Sequence, residues 1–425
     1  MELMNAAPAS LRSAGPVSGL HVLALNSGSS SLKFGLYEAG LSGVETLMSR
    51  EVGSAQGRFD CIDEGRGTAV TTLPSAPVRT QSPLETIISI GNMLANAKAP
   101  APSAIGHRIV HGGPSLRRHC RIDEEVLRRL EAATAFAPLH ILTALALIRA
   151  AQERFPGLPQ IACFDTTFHA GMPDVARVLP IANELQAEGV QRYGFHGLSC
   201  ESILQQLGGD LPERLIVAHL GNGASVTAVR AGNSIDTSMG LTPTGGVMMG
   251  ARSGDLDPGV MVYLMREKNL DAAAIEDMVD RRSGMLGIAG LNGDMRRLRR
   301  AAPSNADARL AIEMFCYSVR KQIAAMAAAL GGVDLIVFTG GIGENDGETR
   351  AEICGGLSWM SLCIEDTRNL TALNPNSHPP SRCAVRVLRS GEDQQIARHA
   401  AKLLGTTLCE PTPGEKADPR HPKAP

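Results

Sequence analysis

Two stretches of this chain read alike. His21–Tyr37 runs an apolar strand into the turn N-S-G-S-S-S and on into a second strand. Arg214–Arg230 does the same through G-N-G-A-S, roughly 195 residues later. A short apolar run that ends in small residues and restarts at once reads as a hairpin. Between and beyond them, strands and helices alternate. The echo predicts an α/β chain of two similar halves, each offering a small-residue turn to a shared cleft.

The rest of the pattern agrees. Strands are expected at Ile105–Val110, Gln160–Phe164, Asp334–Phe338 and Ala384–Leu388, each bounded by Gly, Asn or Asp. Helices are expected at Asp123–Phe136, Glu201–Leu207, Pro258–Lys268, Ala272–Arg281, Ser304–Leu330 and Glu392–Leu404. In the longest, Ile312, Cys316, Val319, Ile323, Met326 and Leu330 hold one apolar face. Ser304 with Asp307 offers its N-cap and Gly331–Gly332 its stop. At 425 residues, with 44% hydrophobic, two or three domains are expected. Residues 1–19 and 408–425 read as disordered ends, rich in Ala, Ser and Pro or in Pro among charges.

Composition removes whole classes. A balance of 41 basic against 43 acidic residues argues against nucleic-acid partners and a polybasic membrane surface. No apolar run reaches the roughly 18 residues of a membrane span. The nine cysteines show no C-x-x-C pair, so free thiols in a reducing cytoplasm are expected rather than a zinc cage. Any anion site must be built locally.

The chain has no P-loop and no G-x-G-x-x-G after a strand. It does have small-residue turns with polar neighbours. Asn26 to Lys33 reads NSGSSSLK, where backbone N–H groups, the Ser29 and Ser31 hydroxyls and Lys33 suit phosphate oxygens. His219-Leu220-Gly221-Asn222-Gly223 is a second such turn. Thr339 to Asn345, TGGIGEN, is a third, with Gly341, Ile342, Gly343, Glu344 and Asn345 opening a helix. Ile105–Gly113, IGHRIVHGG, places His107, Ile109 and His111 on one face of a strand and Arg108 on the other. The bland alternatives are a surface Arg108 and satisfied core histidines. Asp165 follows a strand, where it is either a catalytic carboxylate or a helix cap. His196 is flanked by glycines. Asp236–Gly259 is long and irregular, a usual mark of function. Its Arg252 either reaches a phosphoryl group or pairs with Asp255 or Asp257.

Taken together, LNSGSSSLK, GHRIVHGG, FDTTFH, YGFHG, HLGNGAS, DTSMGLTP, RSGDLDPG, FTGGIGEN and SGEDQQIAR closely resemble the acetate kinase family, from about His21 to Leu404. The resemblance implies two duplicated actin-like (ribonuclease H-like) domains around a nucleotide cleft. Domain I would be 20–165 plus 391–407, and domain II 166–390. It implies reversible transfer of the ATP γ-phosphoryl group to acetate, giving acetyl phosphate and ADP. Magnesium, with manganese as a substitute, would be the metal, and the protein would be a homodimer.

Carried over position by position, the resemblance puts Asn26 and Glu392 at the metal. Ser29, Ser31 and Lys33 fall in the phosphate turn, and His219 through Gly223 in an ATP phosphate loop. Asp294, Met295 and Arg296, with Gly341 through Asn345, fall on the adenosine side. Arg108 and Arg252 match the active-site arginines, Asp165 the essential aspartate and His196 the transition-state histidine. Val110, Leu139, Phe195 and Pro243 match the apolar pocket for the acid. The chemistry is coherent. A carboxylate is ionised at neutral pH and needs no base. Its obstacle is the approach of an anion to a polyanion, which cations and positioning must overcome.

The chain departs from the family at Ile141-Leu142-Thr143, after A-P-L-H, and at Leu198 and Cys200, after the YGFH histidine. Both departures are expected near the acid pocket, which leaves propionate open as the acid. An actin-like clamp or filament that uses nucleotide only as a switch is the other alternative, but it would not need Arg108, Arg252 and His196 beside an apolar pocket.

Overall fold

The computed structural model describes residues 19–28, 31–40, 43–53, 82–372, 374 and 382–408. Six strands form the first sheet: β1 Leu20–Ser27, β2 Ser31–Gly40, β3 Gly43–Gly53, β4 Ala104–Ile109, β5 Cys120–Arg121 and β6 Gln160–Phe164. The second holds β7 Arg214–Leu220, β8 Ala224–Arg230, β9 Asn233–Thr237, β10 Leu335–Thr339 and β11 Ala384–Val387.

The strand orders are β3-β2-β1-β4-β6-β5 and β11-β10-β7-β8-β9. Read from the meander inward, 3-2-1-4-6 and 9-8-7-10-11 are one pattern. In each, three antiparallel strands lead into two parallel ones. β5 is an addition to the outer edge of the first sheet. The sequence echo is therefore a structural one: the β1–β2 hairpin, with Asn26 opposite Lys33, repeats as β7–β8, with His219 opposite Ser225.

Strand alternation decides which helices cover which face. In β1, Leu23 and Leu25 pack on Ile87, Ile90 and Leu94 of the helix Pro83–Asn96, and on Leu147 and Ala151 of the helix Pro138–Arg154. Val22 and Ala24 face the other way, onto Ile396, Ala397 and Ala400 of the helix Glu392–Leu408. In β7, Ile216 and Ala218 meet Ile312, Val319 and Ile323 of the helix Ala306–Leu330. Leu215 and Val217 turn onto Cys200, Ile203 and Leu207 of the helix Gly197–Leu207. Two covered faces explain why these central strands are continuously apolar. The helices Gly197–Leu207 and Glu392–Leu408, one under each sheet, pack against each other. The ends of β1, β4, β6, β7 and β10 then open on one cleft.

Two local expectations need correction. The long helix begins at Ala306, capped by Asn305, whose side chain accepts the Ala308 N–H at 2.8 Å; Ser304 lies one residue before the cap. The run 124–136 is an α-helix to Ala132 that tightens into a 3-10 turn to Phe136. As expected, 238–257 holds no helix or strand. Of the ends expected to be disordered, 1–19 and 408–425, Gly19 leads into β1 and Leu408 closes the last helix, which corrects that expectation at these two residues; the rest lie outside the described residues. Among the described residues no helix is long and apolar enough to cross a membrane, and the seven described cysteines are free.

Candidate active site

The cleft is a cavity of about 800 Å³. Its floor is the end of the first sheet. Arg108, at the end of β4, donates from Nε and Nη2 to Asp165 Oδ2 at 2.9 and 2.5 Å. Its Nη1 reaches Asn26 Oδ1 at 3.3 Å and the Ser27 carbonyl at 3.2 Å. Asp165 is fully buried, and its Oδ1 has no hydrogen-bond partner. Burial pushes its carboxyl above the ordinary carboxylate range, against the pull of Arg108. Asp165 is thus neither a helix cap nor a surface group.

Asn26 closes β1 and donates from Nδ2 to Glu392 Oε2 at 3.0 Å and to Asp393 Oδ1 at 2.7 Å. Both carboxylates open the helix Glu392–Leu408. Burial works against ionisation of Glu392, but Arg108, His219, Asn26 and Lys33 outweigh it and hold its carboxyl below the usual range. Burial raises Asp393.

The opposite wall comes from the second sheet. His196 sits in the left-handed region, φ 58°, as it turns the chain into the helix Gly197–Leu207. Its Nδ1 meets Ser225 Oγ at 3.0 Å, and its ring stacks on His219 with centroids 4.1 Å apart. His219 Nδ1 is held by Ser199 Oγ at 2.9 Å. Burial, with the neighbouring His219 and both arginines, keeps His196 well below its ordinary pKa, and burial pushes His219 down to about 4. Both rings are therefore neutral near pH 7.

Arg252 donates to the Pro243 carbonyl at 3.3 Å. Neither expected acidic partner holds it: Asp255 accepts the Gly246 N–H and Asp257 caps the helix Pro258–Glu267. Arg252 Nη1 and His196 Nε2 both lie 3.2 Å from where a Cβ on Gly223 would stand. Two donors thus converge beside the backbone of the second turn.

Most sequence-derived candidates line this one cavity. Asn26, Lys33, Arg108, Asp165, His196, His219, Gly221, Asn222, Gly223, Arg252 and Glu392 do so, with the apolar Val110, Phe195 and Pro243. Asp294, Met295, Arg296, Gly341, Ile342 and Asn345 line it as well. Asp294 caps the helix Met295–Ala301, and Asn345 Nδ2 holds the Gly341 carbonyl at 2.9 Å.

Three candidates stand elsewhere. Leu220 points into the core of the second half because it alternates with His219 along β7. Gly343 is buried under β10. Glu344 turns back, its Oε1 accepting the N–H groups of Gly340 and Ser390, both at 2.9 Å, so it ties the third turn to the segment before Glu392. Ser29 lies outside the described residues, as do the side chains of Ser31 and Leu139. The departures do not line the cavity. Ile141, Leu198 and Cys200 are buried in cores, and Leu142 faces solvent. His107 is a satisfied core histidine, bonded to Gln160 at 2.7 Å.

The wall also holds His140, Ser390, Arg299, Asp346, Glu348 and Leu370, which the motifs did not single out as site residues. His140 sits where burial, Arg252 and Arg108 push it down to about 4. Arg299 lies in an R-R-L-R-R run that reads as a solvated face, yet it pairs with Asp346, Glu348 and Glu352.

The family model described as "Acetokinase family" matches residues 21–398. An acetate kinase of Rhodopseudomonas palustris is 40% identical over 397 residues, covering 90% of this chain and 98% of that protein. Among solved structures, a propionate kinase of Francisella tularensis superposes with a TM-score of 0.82 at 34% identity, covering 90% of this chain and all of that one. Acetate kinase of Porphyromonas gingivalis superposes at 0.77 and 33% identity, covering 91% and all of that chain. The two halves around the cleft are those of the duplicated actin-like fold, and the chain belongs to the acetokinase family.

Proposed function

We propose that this protein transfers the γ-phosphoryl group of ATP to acetate, reversibly, to give acetyl phosphate and ADP. The observation that carries this reading is the convergence of Arg108, Arg252 and His196 on one cavity, between three small-residue turns and the apolar wall of Val110, Phe195 and Pro243. A switch protein needs the turns but not that convergence.

The acid's methyl end lies against Val110, Phe195 and Pro243, and its carboxylate faces Arg108. The three turns, with Lys33, hold the phosphates. The nucleoside lies along Asp294–Arg296 and Gly341–Asn345. Arg252 supplies positive charge to the transferring phosphoryl group. His196, neutral in the free protein, donates a hydrogen bond from Nε2 rather than a charge, provided Nδ1 takes the Ser225 hydroxyl proton. Preorganised donors of this kind lower the barrier without reorganising during the reaction.

The donor set fits a hard divalent cation. Asn26 and Glu392 line the cavity with oxygens, Asp393 accepts from the Asn26 amide, and the partnerless Asp165 Oδ1 is a further buried oxygen. Asn26 and Glu392, with Asp165 through water, would hold magnesium, or manganese in its place. When bound, such an ion offsets charge on the β- and γ-phosphate oxygens.

Domain I is assigned as 20–165 plus 391–407 and domain II as 166–390; the packing of the helix Glu392–Leu408 on β1, β2, β4 and β6 supports this division. A homodimer is supported by the helices Pro258–Glu267 and Ala272–Arg281, which bury no residue while Val260, Val262, Tyr263 and Met265 stand exposed. The free thiols support a cytoplasmic setting.

The test is a hydroxamate assay of the purified protein with ATP and magnesium, comparing acetate, propionate and butyrate at equal concentration. A kcat/KM advantage for acetate is expected, because the departures at 141–143, 198 and 200 do not line the cavity. A propionate advantage keeps the mechanism and changes the acid. No acyl phosphate from any acid, with ATP still bound, overturns the reading.

A further inference from the structure

Glu201 is a half-buried carboxylate that no step above uses. It lies in the first turns of the helix Gly197–Leu207, just behind His196, and faces the helix Glu392–Leu408. Both of its oxygens are taken by histidines. His119 Nε2 lies 3.4 Å from Oε1, and His399 Nε2 lies 2.7 Å from Oε2. The two rings have centroids 3.9 Å apart. Burial opposes ionisation of Glu201, but the two histidine bonds outweigh it and pull its carboxyl down to about 2.

The outer partners give this cluster its meaning. His119 Nδ1 accepts the backbone N–H of Phe164 at 3.0 Å, and Phe164 precedes Asp165 in the chain. His399 stands two turns along the helix whose first residue is Glu392. Glu201 is itself one turn from His196. Three segments that deliver Asp165, His196 and Glu392 to the cleft therefore meet at one carboxylate.

Two histidines and a carboxylate this close are also a donor set for zinc. The Phe164 bond argues otherwise. An Nδ1 that accepts a backbone N–H keeps its lone pair there, so the neutral ring carries its hydrogen on Nε2. That hydrogen points at Glu201, where a metal would need a lone pair. The cluster is a hydrogen-bonded clasp.

We propose that Glu201 is a positioning residue for phosphoryl transfer, a clasp that fixes Asp165, His196 and Glu392 relative to one another across the two halves. This rests on the phosphotransfer reading of the cleft. Glu201 touches neither substrate, so its loss should leave substrate binding largely alone and lower the rate of the chemical step.

The experiment compares wild type with E201Q, H399L and H399Q. Gln keeps the size of Glu201 but turns an amide N–H₂ toward one histidine donor. E201Q is expected to lower kcat roughly tenfold or more, as loss of an orienting partner typically does, with KM for acid and nucleotide within about twofold. H399L should behave like E201Q. H399Q, which keeps a side-chain N–H donor, should retain more of kcat than H399L. Adding H399L to E201Q should cost little further, since both break one clasp. Wild-type kcat in E201Q, whatever its Tm, overturns the proposal, as do fully additive losses. Tight zinc binding by the wild type in calorimetry, lost in H119A, overturns it in favour of a metal site. If the wild type makes no acyl phosphate, the catalytic reading fails separately. The clasp is then read by hydrogen exchange, which in E201Q should quicken at Phe164 and along 392–400; unchanged exchange there overturns it.

Discussion

Arg108 directs two N–H groups at a single oxygen of Asp165 and leaves the other oxygen, Oδ1, buried without a partner. A buried carboxylate oxygen left open costs free energy unless something else binds it in use. The pair therefore does two things. It neutralises a charge in the floor of the cleft, and it leaves one acceptor there without a hydrogen-bond partner.

Breaking this pair should be costly in two measurable ways. Asp165→Ala removes the carboxylate to which the Arg108 guanidinium is bonded in a buried site, and breaking such a pair typically destabilises by roughly 3–5 kcal/mol. Chemical denaturation should show that loss, and kcat should fall by about 10²-fold or more. Asp165→Asn keeps the shape and should recover part of the stability while recovering little of the rate. Equal activity in Asn and wild type would remove the carboxylate from the chemistry.

Arg252 should behave differently. It has a backbone carbonyl for a partner, and among the described residues no carboxylate pairs with it. Arg252→Ala should leave the fold nearly intact and lower kcat at least 10²–10³-fold, the usual cost of one preorganised donor. Arg108→Ala should lower the rate by at least as much and also lose stability. Activity of the Arg252 variant within about threefold of wild type would take it out of the scheme.

The pH dependence of stability has a definite sign. Burial pushes His107, His111, His140, His169 and His219 down to about 4. The unfolded chain holds these rings near 6.5. Between those values the unfolded state binds more protons, so folding is favoured above pH 6.5 and weakens steadily as pH falls toward 4. Urea midpoints at pH 7.5, 6 and 5 should drop in that order. His107→Gln, which removes one such ring from the core, should flatten the slope while lowering stability at pH 7.5. A midpoint that does not change between pH 7.5 and 5 contradicts the assignment.

Much of this was legible in the sequence because it is local. The hairpin echo is a period-two pattern on each side of a small-residue turn, and it returned as β1–β2 and β7–β8. Arg108 opposite His107 follows from the same alternation. What was not legible is long-range. Nothing near Asn26 says that Glu392 and Asp393 will bond to it from the far end of the chain. Leu220 and Glu344 sit inside motifs that face the cleft, yet alternation turns Leu220 into the core and a loop bond turns Glu344 toward Ser390. The helices Pro83–Asn96 and Pro138–Arg154 were not anticipated. The second is rich in apolar residues on several sides, with no clean stripe to betray it. Arg350 is almost fully buried, bonded to Asn369 and the Gly343 carbonyl, and no sequence pattern sets it apart from a surface arginine.

The sharpest test of the cleft geometry is a single methyl group. Gly223 lies beside the point where Arg252 Nη1 and His196 Nε2 converge, each 3.2 Å from the position of an added Cβ. Its backbone lies outside the left-handed region, so alanine fits the chain without strain. His196 cannot retreat, since Ser225 holds its ring and His219 stacks on it. Arg252 is the flexible neighbour and must move. Gly223→Ala should therefore keep Tm near wild type and lower kcat on the order of 10²-fold, as small displacements of a catalytic group can. KM for the acid, whose methyl end we propose lies against Val110, Phe195 and Pro243, should change little. Wild-type kcat in this variant would show that the two donors do not act together at that point.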